Sequence, residues 1–174
     1  MLLNNVIFAF LLGSIPTGYL LAKFCGHGDI RKFGSGNIGA TNVLRKSGKS
    51  IALVTLFIDF LKGFITCAGP VIAIDLFDLK SDFEYMLVGS AVILGHIFTP
   101  WLKFKGGKGV ATALGVIFAI SGMWGQTWLI IFILFIWFFI FIFTQYVALA
   151  SVLSLFFAVV YSFFFLDNFF IFFA

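Results

Sequence analysis

The chain alternates long apolar runs with short polar interruptions, and the runs have the length of membrane spans. They fall at about 1–22, 51–73, 84–100, 109–122, 126–143 and 146–166, where a helix crossing the hydrocarbon core needs roughly 20 residues. A further run, "FFIFFA", follows Asp167-Asn168 and reads as the start of a seventh. The expected fold is all-α: a polytopic transmembrane helical bundle of six spans plus the start of a seventh, in a single domain over residues 1–174. The first run has no basic segment before it and no small-x-small cleavage pattern, so it reads as a retained span rather than a signal peptide. Pro16 and Gly18 interrupt its end. The runs at 84–100 and 109–122 are short, and both abut "TPWLKFKGGKG" (Thr99–Gly109). Short, Gly/Pro-interrupted spans often border a site, because irregular backbone is tolerated only where protein or water covers it.

Composition agrees: 62% of the 174 residues are hydrophobic and only 10% are charged, which excludes an ordinary soluble domain. The distribution of charge adds orientation. All 11 Lys and Arg lie at or before Lys108, and the aromatic-rich remainder reads as lipid-facing. The segment 23–50 carries Lys23, Arg31, Lys32, Arg45, Lys46 and Lys49, and the segment 101–108 carries Lys103, Lys105 and Lys108. The connection between the second and third runs is acidic, with Asp75, Asp78, Asp82 and Glu84 against Lys80. Alternation puts both basic loops on one side. The positive-inside rule makes that side cytoplasmic and leaves the N-terminus outside.

The basic loops are also glycine-rich. "RKFGSGNIGATNVLRKSGK" (Arg31–Lys49) interleaves glycines with Ser35, Asn37, Thr41 and Asn42, and "KGGKGVAT" precedes the fourth run. Glycine lets backbone amides approach a ligand closely, and successive amides form anion-binding concavities. A helix N-terminus adds free donors and a favourable dipole. Arginine and lysine add formal charge suited to phosphate. One or two phosphate groups are the expected ligand. Lys23, Lys46 and Lys49 are accounted for by topology and headgroup contact alone.

Some motif matches fail their context. Gly34-x-Gly36-x-x-Gly39 follows a charged loop rather than a strand, so it is not a dinucleotide fingerprint. "SGKS" has Val43 where a phosphate-binding P-loop needs glycine, and "GGKG" has Gly109 where a magnesium-binding hydroxyl belongs. A His-x4-Asp pair is absent, since Lys32 and Trp101 stand five residues after His27 and His96. Within the second run, Asp59 and Lys62 share a helical face and are expected to pair in support of a site, because ionisable groups in a span are expensive when isolated. His96 reads equally as a packing residue or a ligand contact. Cys25 and Cys67 are expected to stay unpaired, and no metal or other cofactor and no nucleic-acid partner is expected.

"GSIPTGYLLAK" (Gly13–Lys23), "GSGNIGATNVLR" (Gly34–Arg45), "DFLKG" (Asp59–Gly63), "GHIFTPWLKFKGGKGVATALG" (Gly95–Gly115) and "QYVALAS" (Gln145–Ser151) stand in an order that resembles the PlsY family of bacterial membrane acyltransferases. The resemblance implies transfer of a fatty acyl group from acyl-phosphate to the 1-hydroxyl of glycerol 3-phosphate, giving 1-acyl-glycerol 3-phosphate and phosphate for phospholipid synthesis. It also implies a multi-pass protein of the bacterial inner membrane with its active site facing the cytoplasm, and an upstream enzyme that forms acyl-phosphate. Ser35, Arg45, Lys105 and Lys108 would then be catalytic. Gly34, Gly36, Asn37, Gly39, Thr41, Asn42, His96, Gly106, Gly107 and Gly109 would bind substrate phosphates, with Asp59 and Lys62 in support. The family carries a third motif, a His-Arg-x-Asn-Ile-type stretch after its last span. These 174 residues end at "DNFFIFFA", so the seventh span reads as incomplete and the third motif as missing. A shortened, inactive copy of the acyltransferase, or a transporter of a small phosphate compound, are the alternatives. The polar motifs crowd the first 110 or so residues without an inverted repeat, which speaks against a transporter.

Overall fold

A computed structural model describes residues 1–69, 76–123 and 125–165. Their regular structure is all helical, with no strand among the described residues. The helices are α1 (Leu2–Gly13), α2 (Thr17–Phe24), α3 (Ala40–Ser47), α4 (Lys49–Cys67), α5 (Asp82–Ile97), α6 (Val110–Met123), α7 (Thr127–Thr144) and α8 (Val147–Phe165). Two 3-10 turns, Ile30–Lys32 and Pro100–Leu102, lie in the two basic loops. Each of the six expected spans contains helix. Three stretches, Leu2–Phe24, Lys49–Cys67 and Asp82–Leu102, are long and apolar enough to cross a membrane, and the helices within 110–123, 128–144 and 147–161 are shorter. The expected start of a seventh span lies outside the described residues.

The chain divides into two compact units, Met1–Ala119 and Ile120–Ala174. In the first, the expected span 1–22, interrupted near its end by Pro16, is two helices. Pro16 lacks an N–H and its ring crowds the preceding turn, so α1 ends at Gly13 and α2 begins after Pro16. The carbonyls freed at the break find partners elsewhere, as apolar surroundings require. The Ile15 carbonyl accepts from the Thr17 amide at 2.9 Å and from Lys62 Nζ at 2.5 Å. The Ser14 carbonyl accepts from the Thr99 hydroxyl.

Small residues set the helix spacing, as in membrane bundles that pack by close backbone approach. A Cβ on Gly13 would collide with the Val92 carbonyl, and one on Gly95 with the Phe10 carbonyl, so α1 and α5 run backbone to backbone. Gly63 and Gly115 do the same for α4 and α6, against the carbonyls of Thr112 and Phe60. At the opposite end from the basic loops, Ser81 caps α5 by accepting from the Glu84 amide at 3.3 Å, while the Glu84 carboxylate accepts from the Lys80 amide at 2.8 Å.

The second unit is an antiparallel pair, α7 and α8, in which Trp137 Nε1 donates to Ser151 Oγ at 3.1 Å and Phe132 stacks on Tyr161 at 4.9 Å. Phe135, Phe138, Phe139 and Phe143 of α7 point outward, each more than half exposed, which suits a lipid-facing surface.

Candidate functional site

The segment between α2 and α4, read from sequence as a glycine-rich loop, is a folded unit organised by one side chain. Asn42 sits in the first turns of α3, is 1% exposed, and reaches back across the loop. Its Nδ2 donates to the carbonyls of Ile30 (3.1 Å), Phe33 (2.9 Å) and Asn37 (2.9 Å). Its Oδ1 accepts from the Ser35 amide at 3.2 Å. A primary amide has two N–H donors, so three carbonyl partners occupy them fully. Asn42, expected to contact phosphate, is therefore placed as an internal staple. Gly34, at φ +54, packs so closely on Asn42 Oδ1 that a Cβ there would collide with it. Asn37 makes an Asx turn: its Oδ1 accepts from the Gly39 amide at 2.8 Å and leads the chain into α3. The remaining predicted residues of this loop, Gly34, Ser35, Gly36, Thr41 and Arg45, are solvent-exposed on its open side.

The second loop also departs from expectation. The Gly106 amide donates to the Ile97 carbonyl and the Gly107 amide to the His96 carbonyl, both at 3.0 Å. These amides satisfy the C-terminus of α5 and so are unavailable as an anion cradle. The two glycines answer a packing demand: Cβ atoms there would strike the His96 carbonyl and the His96 Nε2. Gly109, at φ +75, starts α6, whose first turn leaves backbone donors unpaired by the helix itself. Lys105 and Lys108 flank the glycine pair and are exposed.

His96 is enclosed rather than open. It is 6% exposed, with Nε2 against Gly107 and Nδ1 3.7 Å from Asp59 Oδ1. The expected Asp59–Lys62 pair is present at 2.9 Å, with both side chains 4% exposed. Lys62 therefore joins α4 to the break in the first span, through Ile15, and Asp59 joins α4 to α5, through His96. Ser14 extends the same junction: Trp101 Nε1 donates to its hydroxyl at 2.9 Å and that hydroxyl donates to the Leu11 carbonyl at 2.7 Å. Sequence reasoning assigned no site role to Ser14, Thr99 or Trp101. Pro16 was the signal, since a break in a span demands donors for its carbonyls.

The two loops rest on one foundation. Leu102 of the second loop is buried in a cluster with Ile30, Ile38 and Val43 of the first, closed by Ala22 and Ala52. Above this cluster the open surface is cationic. Its carboxylate, Asp29, is held by Arg31 at 3.0 and 2.7 Å, and that hydrogen-bonded partner lowers its pKa from 3.8 to about 2. The same pairing raises the Arg31 pKa. Asp78, Asp82 and Glu84 belong to the other end of α5. Hydroxyls, an exposed guanidinium and two exposed ammoniums thus share one polar end, suited to holding phosphate rather than to a nucleophilic triad.

Fold and site together describe an all-helical chain with three apolar stretches long enough to span a membrane and two basic loops that rest on one buried cluster. The glycerol-3-phosphate acyltransferase family profile matches residues 3–174. The glycerol-3-phosphate acyltransferase of Aquifex aeolicus (strain VF5) is 47% identical over 147 residues, 84% of this chain and 71% of that one. A crystal structure of PlsY (YgiH), described as an integral membrane glycerol 3-phosphate acyltransferase in its glycerol 3-phosphate form, superposes with a TM-score of 0.81 at 42% identity, covering 98% of this chain and 82% of that one. Its lysophosphatidic acid form superposes with a TM-score of 0.77, covering 93% and 76%. The chain belongs to the glycerol-3-phosphate acyltransferase family.

Proposed function

We propose that this chain transfers a fatty acyl group from acyl-phosphate to the 1-hydroxyl of glycerol 3-phosphate, yielding 1-acyl-glycerol 3-phosphate and inorganic phosphate. The observation that carries the reading is the shared buried cluster beneath the two basic loops, which sets Ser35, Arg45, Lys105 and Lys108 exposed above one foundation. Family membership and the likeness to a glycerol 3-phosphate form support it.

Acyl-phosphate is a mixed anhydride and already activated, so no protein nucleophile is needed. The 1-hydroxyl oxygen attacks the acyl carbon, the acyl carbon–oxygen bond to phosphate breaks, and the hydroxyl proton passes to a phosphate oxygen. Arg45 binds a substrate phosphate through its planar donor fork. Lys105 and Lys108 neutralise the charge that grows on the departing phosphate, and Ser35 donates a hydrogen bond beside them. Gly34, Gly36, Asn37, Gly39 and Thr41 shape the phosphate-facing surface, and Gly109, buried beside Ile93 and Ile97, starts α6 beneath it. Asn42, His96, Gly106 and Gly107, with Asp59 and Lys62, hold that surface in place. Fixed orientation and preorganised charge then carry the rate.

In this reading both loops face the cytoplasm of a bacterium, the N-terminus lies outside the inner membrane, six spans with the start of a seventh cross it, and the acyl chain lies in its apolar interior. An upstream enzyme supplies acyl-phosphate. The test is donor choice: membranes that contain this chain and no other glycerol 3-phosphate acyltransferase receive acyl-phosphate, acyl-CoA or acyl carrier protein with labelled glycerol 3-phosphate. Labelled lysophosphatidic acid from acyl-phosphate alone is expected. Product from acyl-CoA at an equal rate, or none from acyl-phosphate, overturns the proposal.

A further inference from the structure

A groove of about 570 Å³ runs beside the break in the first span, lined by residues that the acyl-transfer chemistry does not use. That volume lies within the range that holds a sizeable ligand. Its floor and walls are apolar, from Ile15 at the break through Leu20 to Leu102. Trp101 forms one flank and is 63% exposed, although its indole N–H is tied to Ser14. Tyr19 forms the other flank. Ile15 lies nine residues before Phe24, the end of the span, a depth of roughly 13 Å at the helical rise. The groove therefore opens near the membrane surface and extends into the depth of the acyl chains.

Its rim is cationic. Arg31 stacks on Tyr19 with Cζ 4.9 Å from the ring centroid, and Lys23 Nζ approaches the same ring at 5.8 Å. Asp29 takes up Nε and Nη2 of Arg31. A guanidinium has five N–H groups, so the donors on Nη1 and one on Nη2 remain, and Asp29 holds them in a fixed orientation. Lys103 completes the rim: it is exposed and has no carboxylate partner among the described residues. Its backbone and that of Phe104 are left-handed, at φ 57 and φ 60, with their amides donated to Pro100 and Thr99 carbonyls at 3.1 and 2.9 Å. Three cations against one carboxylate leave an excess of positive charge at the mouth of an apolar groove.

We propose that this groove binds an anionic phospholipid of the surrounding bilayer, such as phosphatidylglycerol, with one acyl chain along Ile15, Leu20 and Leu102 and the phosphodiester at Arg31 and Lys103. Charge complementarity selects the headgroup, and the aromatic flanks sit at the interface where Trp and Tyr favour anchoring. The lipid is a bound constituent of the membrane, distinct from the transferred acyl chain.

Purified protein in a non-ionic detergent is given phosphatidylglycerol or phosphatidylcholine with identical acyl chains, and retained lipid is read by native mass spectrometry. One phosphatidylglycerol per chain is expected, preferred over phosphatidylcholine by roughly fivefold for each rim cation that contributes. The double variant Arg31→Gln/Lys103→Gln loses that preference. Leu20→Trp, which fills the groove without touching charge, loses retention of both lipids. Arg45→Ala keeps phosphatidylglycerol. Equal retention of the two lipids by the unaltered chain, or a preference that survives in the double variant, overturns the proposal. Loss of phosphatidylglycerol in Arg45→Ala, or its displacement by equimolar lysophosphatidic acid, also overturns it by placing the lipid at the transfer site. The lipid-binding readout needs no turnover, so it stands apart from the acyltransferase assay.

Discussion

Lys62→Met removes the ammonium at the centre of the fold while keeping most of its volume. Asp59 then loses its 2.9 Å partner at 4% exposure, and the Ile15 carbonyl loses one of its three donors. Breaking a buried ion pair by deleting one member costs about 3–5 kcal/mol, because the surviving charge is left unpaired. The Ile15 carbonyl keeps the Thr17 amide, so its share is small. For a chain of this size, that loss corresponds to about 10 °C or more in thermal unfolding. Asp59→Asn/Lys62→Met removes both charges and should recover most of the loss, leaving the double variant within about 1–2 kcal/mol of the parent. Thermal unfolding in detergent micelles, followed by tryptophan fluorescence, reads both variants. A single variant as stable as the parent, or a double variant no better than the single, refutes the claim that this pair bridges α4 to the broken span.

Three further outcomes follow from the loop geometry. Asn42→Ala takes a donor from three carbonyls; those of Ile30 and Phe33 keep the Phe33 and Gly36 amides, so the cost falls on the Asn37 carbonyl and the Ser35 amide, at about 1–3 kcal/mol for each group left buried and unmet. Trypsin should then cut between Arg31 and Arg45 far faster than in the parent while the helices resist. Gly107→Ala drives a methyl into the His96 ring and should abolish activity, whereas Gly107→Ala/His96→Ala relieves the collision and recovers folded protein by size exclusion. The Asp29 carboxyl is lowered to about 2 from 3.8, so its pairing with Arg31 stabilises the loop above pH 4 and is lost as pH falls from about 4 toward 2. Tryptic sensitivity at Arg31, measured after brief acid exposure under conditions that trap the open form, should rise in that window and stay flat from pH 5 to 8.

The helices and the two basic loops were legible because each rests on local information: long apolar runs and the polar, basic stretches between them. The Asp59–Lys62 pair was legible for the same reason, since three residues on a helix define a shared face. The break at Pro16 was visible, but its consequences were not. The groups that satisfy it, Lys62 and Thr99, are far along the chain, and only packing brings them to Ser14 and Ile15. Asn42 illustrates a different limit. A polar residue among glycines serves a ligand or the loop itself, and the choice depends on where the loop's carbonyls point. Gly106 and Gly107 were read as an open anion cradle because close approach to a ligand and close approach to His96 demand the same residue.

In the proposed reading, the first and second basic loops hold phosphate together. Its most direct test is kcat/KM for glycerol 3-phosphate, with acyl-phosphate as donor, in Arg45→Ala and Lys108→Ala variants whose membrane insertion matches the parent. Loss of one preorganised charge contact should lower the rate by about 100-fold or more in each. Full rate in both, with normal insertion, would show that the two loops do not hold the substrate phosphate.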